Sequence, residues 1–181
     1  MTSDRHERAE FSRPVDLARL GDAEAEYDIE ATEPERAALA DRFGLIALGA
    51  LSAKVRIRRI HGGAAIRLSG RLIADVTQSC VVTLDPVDSH LEEDFTVVYA
   101  AETSNDESAL GADSEIAWPE PMPEGPLDVG EAVAQQLSLS LDPYPRAPGI
   151  ELDRRWSGEG HEAASPFARL AALQKPPRSS R

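Results

Sequence analysis

Cysteine is almost missing from this 181-residue chain. Cys80 stands alone, so no disulfide can form within the chain. Aromatic residues make up 5% of the composition, and none interleaves with the basic residues between Lys54 and Arg71, which argues against a surface that reads nucleic acid by stacking bases. No apolar run approaches the roughly 18 to 20 residues of a membrane span. The opening MTSDRHERAE lacks an apolar core of the length a signal peptide needs, so the expected location is the cytoplasm and no membrane partner is expected. Lysine and arginine vanish altogether between Arg71 and Arg146, an interval that carries 16 Asp and Glu residues. With a net charge of −13, such a chain is unsuited to capturing a polyanion over its whole surface. Any nucleic-acid contact would be local.

The basic residues that are present lie at the two ends. Residues 1–71 hold 12 basic and 12 acidic side chains, and the tail from Arg146 onward holds 7 basic against 4 acidic. Hydrophobic residues amount to 41%, enough for one core, and a single α+β domain over residues 11–148 is expected, preceded by a disordered start (1–10) and followed by a polar tail.

Periodicity supplies the elements. Phe11 to Val15 and Glu26 to Glu30 suit short strands around the turn-forming Gly21-Asp22. Thr32 with Glu35 is a capping-box pattern, Pro34 suits a first turn and Gly44 a left-handed stop, so Thr32 to Phe43 is expected to be helical. Ala53 to Ile60 alternates basic and apolar residues, His61-Gly62-Gly63 offers a tight turn, and the next run places Ala64, Ile66, Leu68, Leu72, Ala74 and Val76 on one face with Gly70 in register. A third strand follows, from Leu91 to Tyr99. The whole is an antiparallel meander that could close toward a barrel. Residues 101–126 are acidic and poor in large apolar side chains and read as a mobile loop. Asp128 then caps a main helix with Glu131 three positions on, and Val129, Val133, Leu137 and Leu141 form its apolar stripe up to Asp142-Pro143. Ser165-Pro166 opens a short helix over 166–174.

Enzyme chemistry finds little support. Cys80 with His61, His90 and Asp85 could compose a nucleophile, base and orienting acid, but a lone cysteine beside Val81 and Val82 is more often a small buried apolar residue. Zinc fails on ligand count, because His6, His61, Cys80, His90 and His161 show no paired spacing. The run Glu92-Glu93-Asp94 lacks the spacing of a calcium loop and suits a solvated strand edge. Gly62-Gly63 belongs to no phosphate-loop pattern. No cofactor or metal is expected.

The basic hairpin is the better candidate. Lys54, Arg56 and Arg58 should project from one strand face with Arg59 beside them, and Arg67 and Arg71 should come from the facing strand. These six cations could meet RNA phosphates or an acidic protein surface. The alternative is a polar outer face neutralised by the protein's own acids.

The order GRLIADVTQSC, a turn ending VTLDPV, the strand EEDFTVVYA, an acidic loop and PLDVGEAVAQQLSLSLDPYPRAPG resembles the YceD family of large-subunit ribosomal RNA accumulation proteins. FSRPVDLARLG and SPFARLAAL are similar to alphaproteobacterial members. The motif positions are Gly70, Cys80, Leu84, Pro86, Asp128, Leu137 and Pro143. Many members carry a Cys-x-x-Cys-Leu sequence, and here Thr77 and Val81 replace its first cysteine and its leucine, which removes a paired-thiol role from this chain. The resemblance implies a non-enzymatic factor in accumulation or processing of the large-subunit ribosomal RNA. An acidic chain is better suited to ribosomal proteins or assembly factors as partners, with ribosomal RNA as a local contact at most. The runner-up is a stand-alone acidic interaction domain with no ribosomal role.

Overall fold

The structure is a computed structural model that describes residues 9–21, 23–101 and 119–150. The chain divides into two units, Met1–Ala147 and Pro148–Arg181. Only residues 148–150 of the second are described, and every described strand and helix belongs to the first. The expected helix at 166–174 lies outside the described residues.

The elements run β1 (Pro14–Val15), β2 (Ala25–Glu30), α1 (Glu33–Phe43), β3 (Ala47–Ile60), β4 (Ala65–Ser79), β5 (Pro86–Ala100), β6 (Glu120–Pro121), β7 (Leu127–Asp128) and α2 (Val129–Ser140). Alternation of period two builds the main sheet, in the order β2-β3-β4-β5-β6. Its pairings are antiparallel except the short β5–β6 contact. The register sets Val55 opposite Gly70 and Ile57 opposite Leu68, so their side chains share one face with Leu51, Ala53, Leu72 and Ala74. Leu39 and Ala40 of α1 and Val129, Val133 and Leu137 of α2 close that face into a single core. Two layers result, one of sheet and one of helices, an α+β architecture. β2 and β6 stand at opposite ends of the strand order, so the sheet stays open and the barrel option is set aside.

Local chemistry explains the helix ends. At the start of α1, the Glu35 carboxylate accepts from the backbone N–H (2.8 Å) and hydroxyl (3.0 Å) of Thr32. Gly44 closes the helix in a left-handed conformation, as expected. Asp128 caps α2 by accepting from the N–H groups of Gly130 and Glu131. Glu131, expected to complete a capping box there, turns instead to Arg42 of α1 at 2.8 Å. A charged partner on another element outcompetes the local cap. No helix among the described residues is long and apolar enough to cross a membrane.

Several expected bounds shift. β3 begins at Ala47, six residues before the alternation becomes regular, because its early residues still find partners across a bulge between Leu48 and Ala50. β5 begins at Pro86, beside Ser79, because the tight turn keeps both strands in register. The Phe11–Val15 strand shrinks to Pro14–Val15, and Phe11 is instead a fully buried side chain. Residues 119–126, read as the end of a mobile loop, are anchored by β6 and by the Met122 N–H donating to the Ala100 carbonyl; residues 102–118 lie outside the described set. Glu10, assigned to a disordered start, pairs with Arg42 at 2.9 Å.

Arg13 ties the N-terminal segment to α1 through two hydrogen bonds to Glu35, at 2.7 and 3.0 Å. Those bonds, helped by Thr32 and opposed by burial, hold the Glu35 carboxyl down to about 2, against an ordinary 4.5. A depressed carboxyl contributes stability that is complete above its unfolded value and lost as pH falls through its folded one. Glu35→Gln should therefore be less stable than the parent by about 1 to 3 kcal/mol at neutral pH. The gap should narrow between roughly pH 5 and pH 2 in denaturant titrations. A gap that does not change with pH would contradict this coupling.

Candidate partner and RNA-contact surface

The sheet face opposite the core carries the candidate cations. Register places Lys54 opposite Arg71, Arg56 opposite Ser69, and Arg58 opposite Arg67. On one flank β2 brings Glu26 opposite Arg56 and Asp28 opposite Lys54; on the other, β5 brings Asp94 opposite Arg71. The face thus reads acidic, basic, basic, acidic across four strands. Lys54 Nζ lies 3.3 Å from Glu26 and 3.5 Å from Asp28, and Arg71 lies 2.6 Å from Glu92 and 3.9 Å from Asp94. Hydrogen bonding to Glu26 and the field of Asp28 raise the Lys54 pKa, which keeps it charged. A groove of about 690 Å³ crosses this face and is lined by both signs, among them Glu26, Asp28, Lys54, Arg56, Arg71 and Asp94.

Three of the six candidates are accounted for within the fold. Lys54 and Arg71 are paired. Arg59 belongs to the opposite face from Arg58, because strand neighbours alternate, and it donates to the carbonyls of Leu17 (2.6 Å) and Leu20 (3.2 Å). It fastens the N-terminal segment. Arg67 is half-buried, and its buried Nε has no hydrogen-bond partner among the described residues. Arg56 and Arg58 are exposed and have no ion-pair partner among those residues. Arg58 and Arg67 are like charges placed directly opposite, an arrangement that costs stability unless an anion sits between them. The local cationic spot therefore shrinks to Arg56, Arg58 and Arg67.

The cysteine turn is structural in its geometry. The Cys80 N–H donates to the Asp85 carbonyl at 2.8 Å and the Leu84 N–H to the Cys80 carbonyl at 2.9 Å, with Leu84 in the left-handed region. Pro86 then starts β5. The turn also holds the chain that follows α2: Val81 N–H meets the Pro145 carbonyl at 2.9 Å, and the Ala147 N–H points at Cys80 Sγ at 3.4 Å. The Thr83 hydroxyl first, then the N–H groups of Ala147, Thr83 and Val82, pull the buried Cys80 thiol down to about 6, with burial opposing them. The imagined triad is not assembled. His61 sits at the far end of β4, roughly 50 Å of strand away, and His90 bonds Asp75 at 2.6 Å. Thr77, at the missing cysteine's position, donates to Asp88 at 2.7 Å.

Of the other motif positions, three pack or cap and two do not. Leu137 is fully buried in the core, Asp128 caps α2, Gly70 is buried at the centre of the sheet, and Pro143 and Leu84 are exposed.

A family model described as large ribosomal RNA subunit accumulation protein YceD matches residues 68–174. The chain belongs to the YceD family. By its name, that family acts in accumulation of the large ribosomal RNA subunit. No curated protein and no solved structure matched in the other two comparisons. The YceD match takes in most of β4, the cysteine turn, β5 and α2, and leaves out Lys54, Arg56, Arg58, Arg59 and Arg67.

Ion pairs between distant elements, Arg13–Glu35 and Arg42–Glu131, were missed by sequence reasoning, which sees charge but not which helix faces which. The inward turn of Arg59 was readable: two adjacent arginines on one strand must point to opposite faces.

Gly70→Ala would set a Cβ 2.7 Å from the Lys54 carbonyl oxygen and 3.0 Å from Phe95 and Val55 side-chain atoms. A loss of about 1 to 3 kcal/mol in a denaturant melt is expected, whereas Cys80→Ser should keep the fold and any ribosomal association. Loss of function in a folded Cys80→Ser protein would return the thiol to chemistry.

Proposed function

We propose that this chain supports accumulation of the large ribosomal RNA subunit as a non-enzymatic cytoplasmic factor that works mainly through contacts with basic proteins, either ribosomal proteins or assembly factors. The observation that carries this reading is the ion pairing of Lys54 and Arg71 to flanking acids of the same sheet, which removes the centre of the cationic surface an RNA-coating protein would need. The interval from Arg71 to Arg146, with 16 acids and no intervening cation, adds a field that draws basic proteins and repels RNA. Family membership weighs against a stand-alone interaction domain with no ribosomal role. No cofactor enters this reading.

A local phosphate contact is the second reading, supported by Arg58 standing opposite Arg67 with no acid paired to either. One phosphate there would relieve that repulsion.

Tagged protein incubated with purified large-subunit ribosomal proteins and precursor particles at moderate salt should retain basic proteins, with retention falling as salt rises. Deletion of the gene should lower large-subunit RNA. Absence of both effects would remove the ribosomal reading. The double substitution Arg56→Glu with Arg58→Glu separates the two contact modes. Protein capture should persist, and any RNA association through the spot should drop about tenfold or more. RNA association that does not change with this variant would eliminate the phosphate contact.

A further inference from the structure

β5 pairs with β4 along its whole length but has little on its other side. Only Tyr99 and Ala100 meet a strand there, the two-residue β6. Over residues 86–98 alternate N–H and C=O groups therefore face outward with no backbone partner among the described residues. This is the longest open strand edge among those residues; β2, at the other end of the sheet, offers six residues.

An open edge invites another strand, and proteins guard such edges with charge. Here the guard has one sign. Asp88, Glu92, Glu93 and Asp94 are exposed along β5, and Glu26, Asp28 and Glu30 are exposed on β2. Joining two copies edge to edge, in any of the three combinations, would set acid against acid. Self-pairing is disfavoured, while a strand of opposite charge is not. The side chains also define a pattern. Asp88, His90, Glu92 and Asp94 project on the outer face, where Glu92 and Asp94 also meet Arg71, and Leu91, Glu93, Phe95 and Val97 project on the core face, where Leu91 and Val97 are half-buried and Glu93 is exposed. A strand laid beside them would match by carrying cations on alternate residues and apolar side chains between.

We propose that the open edge of β5 accepts an extended segment of a basic partner protein as an added strand, with its Lys and Arg side chains against Asp88, Glu92 and Asp94 and its apolar side chains extending the core beside Leu91 and Val97. Main-chain hydrogen bonds supply affinity and the alternation supplies selection. Residues 86–98 lie within the segment matched by the YceD family model. The proposal rests on the protein-contact reading above and gives it a place.

The test uses the full chain and two synthetic heptapeptides of the same composition, one alternating Lys-Val-Lys-Val-Lys-Val-Lys and one with its four lysines grouped. Amide hydrogen exchange is followed residue by residue. The alternating peptide should slow exchange at alternate amides of residues 86–98, and the grouped one should not. Asp88→Lys with Asp94→Lys should weaken the alternating peptide about tenfold, the size expected for opposing charge at a docking edge. Unchanged exchange of β4 amides in that variant certifies its fold, and Asp88→Asn with Asp94→Asn serves if the lysine variant fails that check. Equal binding of both peptides, or protection that falls on β2, overturns the proposal. The same variant is then given purified large-subunit ribosomal proteins. Full capture by it overturns edge docking and leaves the protein-contact reading standing; no capture even by the parent chain overturns both.

Discussion

The carboxylate of Asp128 sets the arrangement of the helices. One oxygen accepts from the N–H groups of Gly130 and Glu131 and from that of Arg13 at 2.7 Å, and the other accepts from the Ser12 hydroxyl. A single side chain therefore caps α2 and holds the N-terminal segment against it. Packing leaves no slack at this junction, since a Cβ on Gly130 would come within 2.3 Å of the Phe11 carbonyl oxygen. From the anchored segment Arg13 reaches Glu35 of α1, and from the end of α1 Arg42 reaches Glu131 of α2. The core beneath contains no buried polar residue among those described, so its apolar contacts are compatible with many helix orientations. The directional bonds around Asp128 select one.

With one face committed to that core, the other carries a small buried cluster of Ala65, Val98 and Ala100 and is otherwise left to charge. Basic strands lie between acidic strands, and each strand presents its ions to its neighbour. Exposed pairs of this kind contribute little stability. Their main effect is on recognition: a chain with six clustered cations in sequence displays only a small positive spot near the β3–β4 turn, framed by acid. The exposed backbone edge and its acids then become the larger feature of the surface, which shifts the expected partner from nucleic acid toward basic protein.

Much of the fold was legible because it follows from local rules. The alternation after Ala53 could only bury one face of a strand, Thr32 and Glu35 three apart form a capping box ahead of a run that suits a helix, and Asp128 ahead of an apolar stripe caps the second one. What escaped was contact between distant segments. Glu131 abandons the local cap for Arg42, and residues 119–126, too polar to suggest structure, are held by backbone bonds to the end of β5. Neither outcome leaves a periodic trace. At the candidate site the six cations were legible as residues on a hairpin, but Arg59 faces inward and Lys54 and Arg71 are already paired.

Which residues alternate, where helices begin and stop, that Cys80 lacks a thiol partner and that acid dominates from Arg71 to Arg146 are all properties of the linear chain. Backbone geometry converts such relations between neighbours directly into faces and caps. Which cations remain free, which strand edge stays open and which carboxylate joins the N-terminal segment to α2 emerge only on folding. Those depend on register, on the order of strands in the sheet and on how the helices pack, and packing brings together charges far apart in sequence, as with Arg42 and Glu131, 89 residues apart.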